Sequence, residues 1–178
     1  MRVEELLWSI GAVQRGVFKL SSGRISNVYI DLRKLPSHPR EFKLVVDALS
    51  REALNYSFNI VCGIAVGGLP LATGVALALS KPLIYVRRDR KDHGTMKQLE
   101  GDFEPGAKAI LVDDVATTGG SLLEALKVLR SSGLIADTAL VVVDREEGAR
   151  EALEAEGVRL VGLTTLKRVL EVGASVQG

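Results

Sequence analysis

The chain has 178 residues, of which 47% are hydrophobic and 25% charged, with a formal net charge of +1. Such a length suits one domain that can bury a substantial core without disulfides or metals, and the composition excludes a disordered chain. A charge this close to zero leaves no global field to recruit nucleic acid or an anionic membrane, so any anion site must be local.

Cys62 is the only cysteine, which excludes an intrachain disulfide and any multi-cysteine metal site. In the apolar run Ile60-Val61-Cys62 it reads as a packed core thiol rather than a nucleophile. The N-terminal stretch carries Arg2, Glu4 and Glu5 and does not read as a signal peptide. No apolar run is long enough to span a bilayer. The expectation is a cytoplasmic protein with neither a membrane nor a nucleic-acid partner.

The first forty residues predict a helix near 2–11 and short strands around 16–20 and 27–32, forming a small lobe (1–40) over a sheet. Phe42, Val45, Val46, Leu49, Ala53 and Leu54 recur at helical spacing within 41–55. Ile60 to Ala65 is an apolar run that ends at Gly67-Gly68, a buried strand, and Pro70 stands where the next helix, continuing through Leu71–Leu79, can begin. Further strands are predicted at Leu83–Val86, Ala109–Val112, Ala139–Val143 and Val158–Leu163. Helices are predicted at Leu122–Leu129 and 147–156. Strands alternating with helices, apolar on both faces, imply an α/β fold: one domain over 1–178 with a mostly parallel central sheet covered on both sides. Ligands of such folds bind outside the carboxyl ends of the strands, here just after residues 65, 86, 112 and 143.

The chemistry concentrates in Ile110-Leu111-Val112-Asp113-Asp114-Val115-Ala116-Thr117-Thr118-Gly119-Gly120-Ser121. An apolar strand delivers two adjacent carboxylates, and a loop rich in Thr and Gly then runs into a helix. Converging N–H groups, hydroxyls and a helix N-terminus make a phosphate cradle. No GxxxxGK and no GxG occurs, so this is neither a P-loop nor a dinucleotide fingerprint. Paired acids beside such a cradle would repel a bare phosphate. They suit sugar hydroxyls next to the phosphate, or a divalent ion.

This segment resembles the phosphoribosyl diphosphate signature of the type I phosphoribosyltransferases. The resemblance implies that fold, with residues 1–40 as its hood. It also implies that Asp113 and Asp114 hold the ribose 2- and 3-hydroxyls, while Val115, Ala116, Thr117, Thr118, Gly119, Gly120 and Ser121 enclose the 5-phosphate side. Arg87-Arg88-Asp89-Arg90-Lys91-Asp92-His93-Gly94 opens a long polar connection. By itself it reads equally as a solvated loop or a lid over a diphosphate. Beside the paired acids it resembles the catalytic loop of orotate phosphoribosyltransferases, with Arg87, Arg88, Lys91 and His93 at that family's functional positions. The catalytic set so implied is Arg87, Lys91, His93, Asp113 and Asp114.

Three further segments carry the same resemblance. Phe18-Lys19-Leu20-Ser21-Ser22-Gly23-Arg24-Ile25-Ser26, followed by Tyr29-Ile30-Asp31, is similar to the family's N-terminal motif, and Tyr29 and Ile30 would face the planar base. Relatives often carry Lys where this chain has Ser21. Ala65-Val66-Gly67-Gly68 is similar to the diphosphate loop, with Val66 and Gly67 beside the leaving group, although some relatives place Lys at position 67. Asp144-Arg145 follows a strand. Its arginine fork matches the carboxylate that orotate has and purine bases lack, and Thr117 completes the implied orotate set. Arg145 read in isolation is also a local Arg–Glu pair at a helix start.

The resemblance implies orotate and phosphoribosyl diphosphate as substrates, orotidine 5-phosphate and diphosphate as products, and a place in pyrimidine nucleotide synthesis. It further implies Mg²⁺ held mainly through the diphosphate, and a homodimer in which Arg87, Lys91 and His93 act in trans. The rival readings are a purine-base phosphoribosyltransferase and a non-catalytic sensor of phosphoribosyl diphosphate.

Overall fold

A computed structural model describes residues 2–19, 23–87 and 98–176. Helix α1 (Val3–Ser9) leads into an antiparallel hairpin, β1 (Val13–Lys19) and β2 (Ile25–Ile30). A 3-10 helix, Leu32–Ser37, then passes the chain to α2 (Pro39–Ala53). The amphipathic spacing of Val45, Val46, Leu49 and Ala53 explains the burial of that face of α2.

The remaining elements alternate: β3 (Ile60–Ile64), α3 (Gly68–Leu79), β4 (Leu83–Val86), β5 (Leu99–Glu100), β6 (Lys108–Ala116), α4 (Gly120–Ser131), β7 (Ile135–Asp144), α5 (Ala149–Glu154), β8 (Arg159–Thr165) and α6 (Leu166–Val176). The strands form one sheet in the order β5-β4-β3-β6-β7-β8, parallel throughout except for β5. The period of two along each strand divides its side chains between two cores. Ile110 and Val112 of β6 and Leu140 and Val142 of β7 pack with α2, α3, α1 and the hairpin. Ala109, Leu111, Ala139 and Val141 pack on the opposite face with α4 and α5. That two-sided burial is why these strands read as unbroken apolar runs. The α/β class and the mostly parallel sheet are therefore as expected.

Some boundaries differ in informative ways. The strand expected at Ala109–Val112 runs on to Ala116, because Asp113, Val115 and Ala116 keep their register with Val141, Val143 and Asp144 of β7. The paired acids thus stand on a strand, not on the loop after it. Helix α3 starts at Gly68, ahead of Pro70, and Pro70 sits in its first turn, where its missing N–H costs nothing. The 3-10 helix and the two-residue β5 went unpredicted, since neither is long enough to show a period.

Trp8 and the C-terminal helix are fastened together. The indole Nε1 donates to the Val169 carbonyl at 2.8 Å. A Cβ at Gly173 would run into the Trp8 ring. Trp8 is structural, and α6 closes over the N-terminal lobe. No helix among the described residues is long and apolar enough to cross a membrane.

Candidate active site

A cavity of about 670 Å³ opens at the carboxyl ends of β3, β6 and β7 and beneath the hairpin. Ile64 to Gly67 form one wall, Asp113 to Leu122 the floor, and Arg145 one end. Lys19, Tyr29, Ile30 and Arg33 close it from above. Tyr29, Ile30, Val66, Gly67, Arg145 and every residue from Asp113 to Ser121 singled out in the sequence therefore meet around one space. Arg87 does not line it. Its guanidinium lies 3.4 Å from Glu100, and its N–H donates to the Gln98 carbonyl. Arg88, Lys91, His93 and Ser21 lie outside the described residues.

The acids are held by the backbone that follows them. Asp113 Oδ1 accepts the Asp114 N–H at 2.9 Å, and Asp114 Oδ1 accepts the Val115 N–H at 2.7 Å. Asp113 is buried, while Asp114 is partly open to the cavity. Enclosure by protein lifts the Asp114 carboxyl above the ordinary aspartate range, and the Val115 N–H and the charge of Arg33 oppose that lift. The wall at Ala65–Gly67, whose Ala65–Val66 peptide is cis, comes close against Asp114. A Cβ at Gly67 would collide with the Asp114 carboxylate, and one at Gly68 would fall 2.5 Å from the Val112 carbonyl oxygen. Glycines here let backbone, not side chain, face the acids.

Thr117 to Gly119 form the turn into α4, with Gly119 at φ 84° as the residue before the helix. The first N–H groups of a helix have no preceding turn to bond, so they and the threonine hydroxyls present donors to an anion. The Arg145 N–H donates to the Ala116 carbonyl at 2.9 Å and ties this loop to the end of β7.

Arg145 is 5% exposed and its fork is already in use. Nε donates to Glu147 Oε1 at 2.8 Å, Nη1 to the Val28 carbonyl at 3.3 Å and Nη2 to Ser26 Oγ at 3.0 Å. The local Arg–Glu pair is thus real, and it coexists with a place on the cavity. Three of five guanidinium donors go to protein, leaving one hydrogen on each terminal nitrogen. Buried Asp144 fixes the turn that presents Arg145, accepting the Glu146 N–H at 2.8 Å and Arg150 Nη2 at 3.0 Å.

Arg33 escaped the sequence reading. It lines the cavity from the 3-10 helix, with Nε on Asp31 Oδ1 and Nη2 on the Tyr29 hydroxyl, both at 2.8 Å. Its signal, a short Asp-x-Arg step after the Tyr29-Ile30-Asp31 motif, has no period to reveal it. Glu124, just beyond the first turn of α4, was missed likewise. Cys62 is fully buried, and burial pushes its thiol up to about 12, so it has no part in nucleophilic chemistry. Among the described residues no group of three or more His, Cys, Asp or Glu is placed to hold a metal. The adjacent carboxylates Asp113 and Asp114 still fit a Mg²⁺ ion that keeps most of its ligands from phosphates and water.

The profile of the phosphoribosyl transferase domain matches residues 34–161. The orotate phosphoribosyltransferase of Aeropyrum pernix is 52% identical over 164 residues, covering 90% of this chain and 87% of that one. That of Sulfolobus acidocaldarius is 46% identical over 155 residues, covering 87% and 78%. The crystal structure of the Aeropyrum pernix enzyme superposes with a TM-score of 0.85 at 48% identity, covering 97% of this chain and 98% of that one. With its paired acids, the Thr- and Gly-rich turn into α4 and Arg145 converging on a single cavity, the chain belongs to the phosphoribosyltransferase family, among its orotate phosphoribosyltransferases.

Proposed function

We propose that this cavity transfers ribose 5-phosphate from phosphoribosyl diphosphate to orotate, releasing diphosphate and orotidine 5-phosphate for pyrimidine nucleotide synthesis. The observation that carries the reading is the meeting of a carboxylate pair, a Thr- and Gly-rich turn into a helix and a buried arginine around one volume of about 670 Å³. That volume lies within the usual range for small-molecule sites, roughly 300–1,000 Å³. Thr117 to Ser121 bind the 5-phosphate, and Asp113 and Asp114 accept hydrogen bonds from the ribose hydroxyls. Tyr29 and Ile30 lie along the base, whose carboxylate takes the two remaining Arg145 hydrogens.

The bond from the anomeric carbon to the diphosphate oxygen breaks, its electron pair leaving with diphosphate. The orotate ring nitrogen, on losing its proton, forms the new bond. No protein nucleophile is needed, because holding both reactants in line and stabilising the departing charge lower the barrier. When bound, Mg²⁺ supplies part of that neutralisation, and Asp113 and Asp114 are the residues that fit it. Arg87 stands outside the cavity of its own chain, which supports a loop that serves a second subunit's site, with Lys91 and His93 beside it. In that arrangement the active form is a homodimer.

The test is the loss of orotate ultraviolet absorbance with and without phosphoribosyl diphosphate and Mg²⁺. Consumption that requires both supports the reading. Turnover of adenine or hypoxanthine in place of orotate would favour the purine-base alternative, and donor binding without turnover would favour a sensor.

A further inference from the structure

Position 67 poses a charge problem that Arg33 resolves. The wall Ala65–Gly67 faces the Asp114 carboxylate and carries no cationic side chain, and a Cβ at Gly67 would strike that carboxylate. A diphosphate leaving from a ribose held at Asp114 would carry several negative charges past a wall offering only backbone donors. Among the described residues the cations lining the cavity are Lys19, Arg33 and Arg145. Arg145 is committed to Glu147 and the hairpin. Arg33 is close enough to Asp114 for its charge to act on that carboxylate, yet makes no ion pair with it among the described residues.

The guanidinium of Arg33 is also aimed in advance. Asp31 Oδ1 accepts both its backbone N–H, at 3.3 Å, and its Nε, at 2.8 Å. The Tyr29 hydroxyl accepts from Nη2 at 2.8 Å, and the Tyr29 ring is itself stacked on Phe18, with centroids 5.5 Å apart. The side chain is nonetheless 60% exposed, and Nη1 has no partner among the described residues. An exposed arginine held at two of its three nitrogens loses little freedom when it meets an anion, which a floppy surface arginine would. Such a hold contributes little to folding, since exposed ion pairs are weak.

We propose that Arg33 binds the leaving diphosphate, supplying from the hood the cation that position 67 does not carry. This rests on the functional reading above and adds a residue to it. The orotate carboxylate is the less suitable partner: it bears one charge and already has the Arg145 hydrogens.

The experiment is calorimetric titration of inorganic diphosphate with Mg²⁺ into wild type, Arg33→Gln and Arg33→Lys, alongside KM for each substrate. Removing one charge-assisted hydrogen bond should weaken diphosphate roughly ten- to a hundredfold. KM for phosphoribosyl diphosphate should rise with it, while KM for orotate, which feels the change only through the Tyr29 hydroxyl, should rise by clearly less. Arg33→Lys keeps the charge but not the two-point hold, so it should fall between. It also carries the test if Arg33→Gln melts early. Unchanged diphosphate affinity in a folded variant, or an equal rise in KM for orotate, overturns the proposal. If wild type consumes no orotate and binds no diphosphate, the functional reading itself has failed and takes this proposal with it.

Discussion

Arg145 Nη2 donates to Ser26 Oγ at 3.0 Å, joining residues 119 apart in the chain. With the bond to the Val28 carbonyl, it makes Arg145 the clasp between the end of β7 and the hairpin above the cavity. One side chain therefore both shapes the cavity and lines it.

The first prediction separates these roles. Arg145→Ala should raise KM for orotate far more than KM for phosphoribosyl diphosphate, and lower the melting temperature. Each hydrogen bond to a charged group contributes about 1.5–3 kcal/mol, and Arg145 is too buried for solvent to replace them. Ser26→Ala removes one such clasp bond and keeps the cation, so it should cost about 1.5–3 kcal/mol of stability with a much smaller change in KM. Equal rises in both KM values for Arg145→Ala would show that Arg145 does not read the base.

The second concerns the paired acids. Asp113→Asn and Asp114→Asn should each weaken donor binding roughly tenfold to a hundredfold, as expected for losing a charged acceptor. Asp114 has a further signature in pH. Burial raises its folded pKa above the unfolded value, so the ionised form is less favourable folded than unfolded. Its titration favours folding fully below the unfolded value, and that contribution disappears as pH rises through the folded one. Asp114→Asn mimics the protonated side chain and keeps an acceptor for the Val115 N–H. It should melt above wild type at neutral pH, and the gap should close as pH falls below the ordinary aspartate value of about 3.9. Donor binding needs the anion, so wild-type affinity should begin to fall at a higher pH than an ordinary aspartate would give. A melting gap that stays constant across pH would refute the burial account.

The third uses the wall glycine. Gly67→Ala puts a methyl where the Asp114 carboxylate lies, but that carboxylate is the end of a side chain and can swing aside. The fold should survive with its melting temperature nearly unchanged. KM for phosphoribosyl diphosphate should rise, since Asp114 would leave the position fixed by Val115. A large loss of stability with normal KM would place the function of Gly67 in packing alone.

The sequence was legible where physics repeats itself. Period-two burial on β6 and β7, helical spacing on α2, and the dense run from Asp113 to Ser121 all announce themselves, and the structure brings that run to one cavity. What stayed hidden depends on distance rather than period. Arg33 gains its meaning from Tyr29 and Asp31 only after the hairpin is folded over β6. The clasp of Arg145 on Ser26 pairs two segments with no local relation. The apolar run marks β6 only as far as Val112, yet pairing with β7 carries the strand through the two acids to Ala116.

The last prediction is that loop and paired acids act together across two subunits. Arg87, just after β4, is paired with Glu100 and is not among the residues lining its own cavity, and in the sequence the basic run that follows includes Lys91 and His93. A two-fold dimer gives each site one borrowed loop, because the symmetry operation exchanges the two loops between the two sites. Lys91→Ala and Asp114→Asn should each be nearly inactive alone. Mixed under conditions that allow subunit exchange, half of the dimers become heterodimers. In each of these, one site collects both lesions and the other collects neither. Activity should then recover to about a quarter of wild type, as random exchange with one intact site per heterodimer requires. Exchange itself is followed independently by mass spectrometry of differently tagged subunits. If heterodimers form and activity stays at the level of the parents, Lys91 serves its own subunit and the site is not shared.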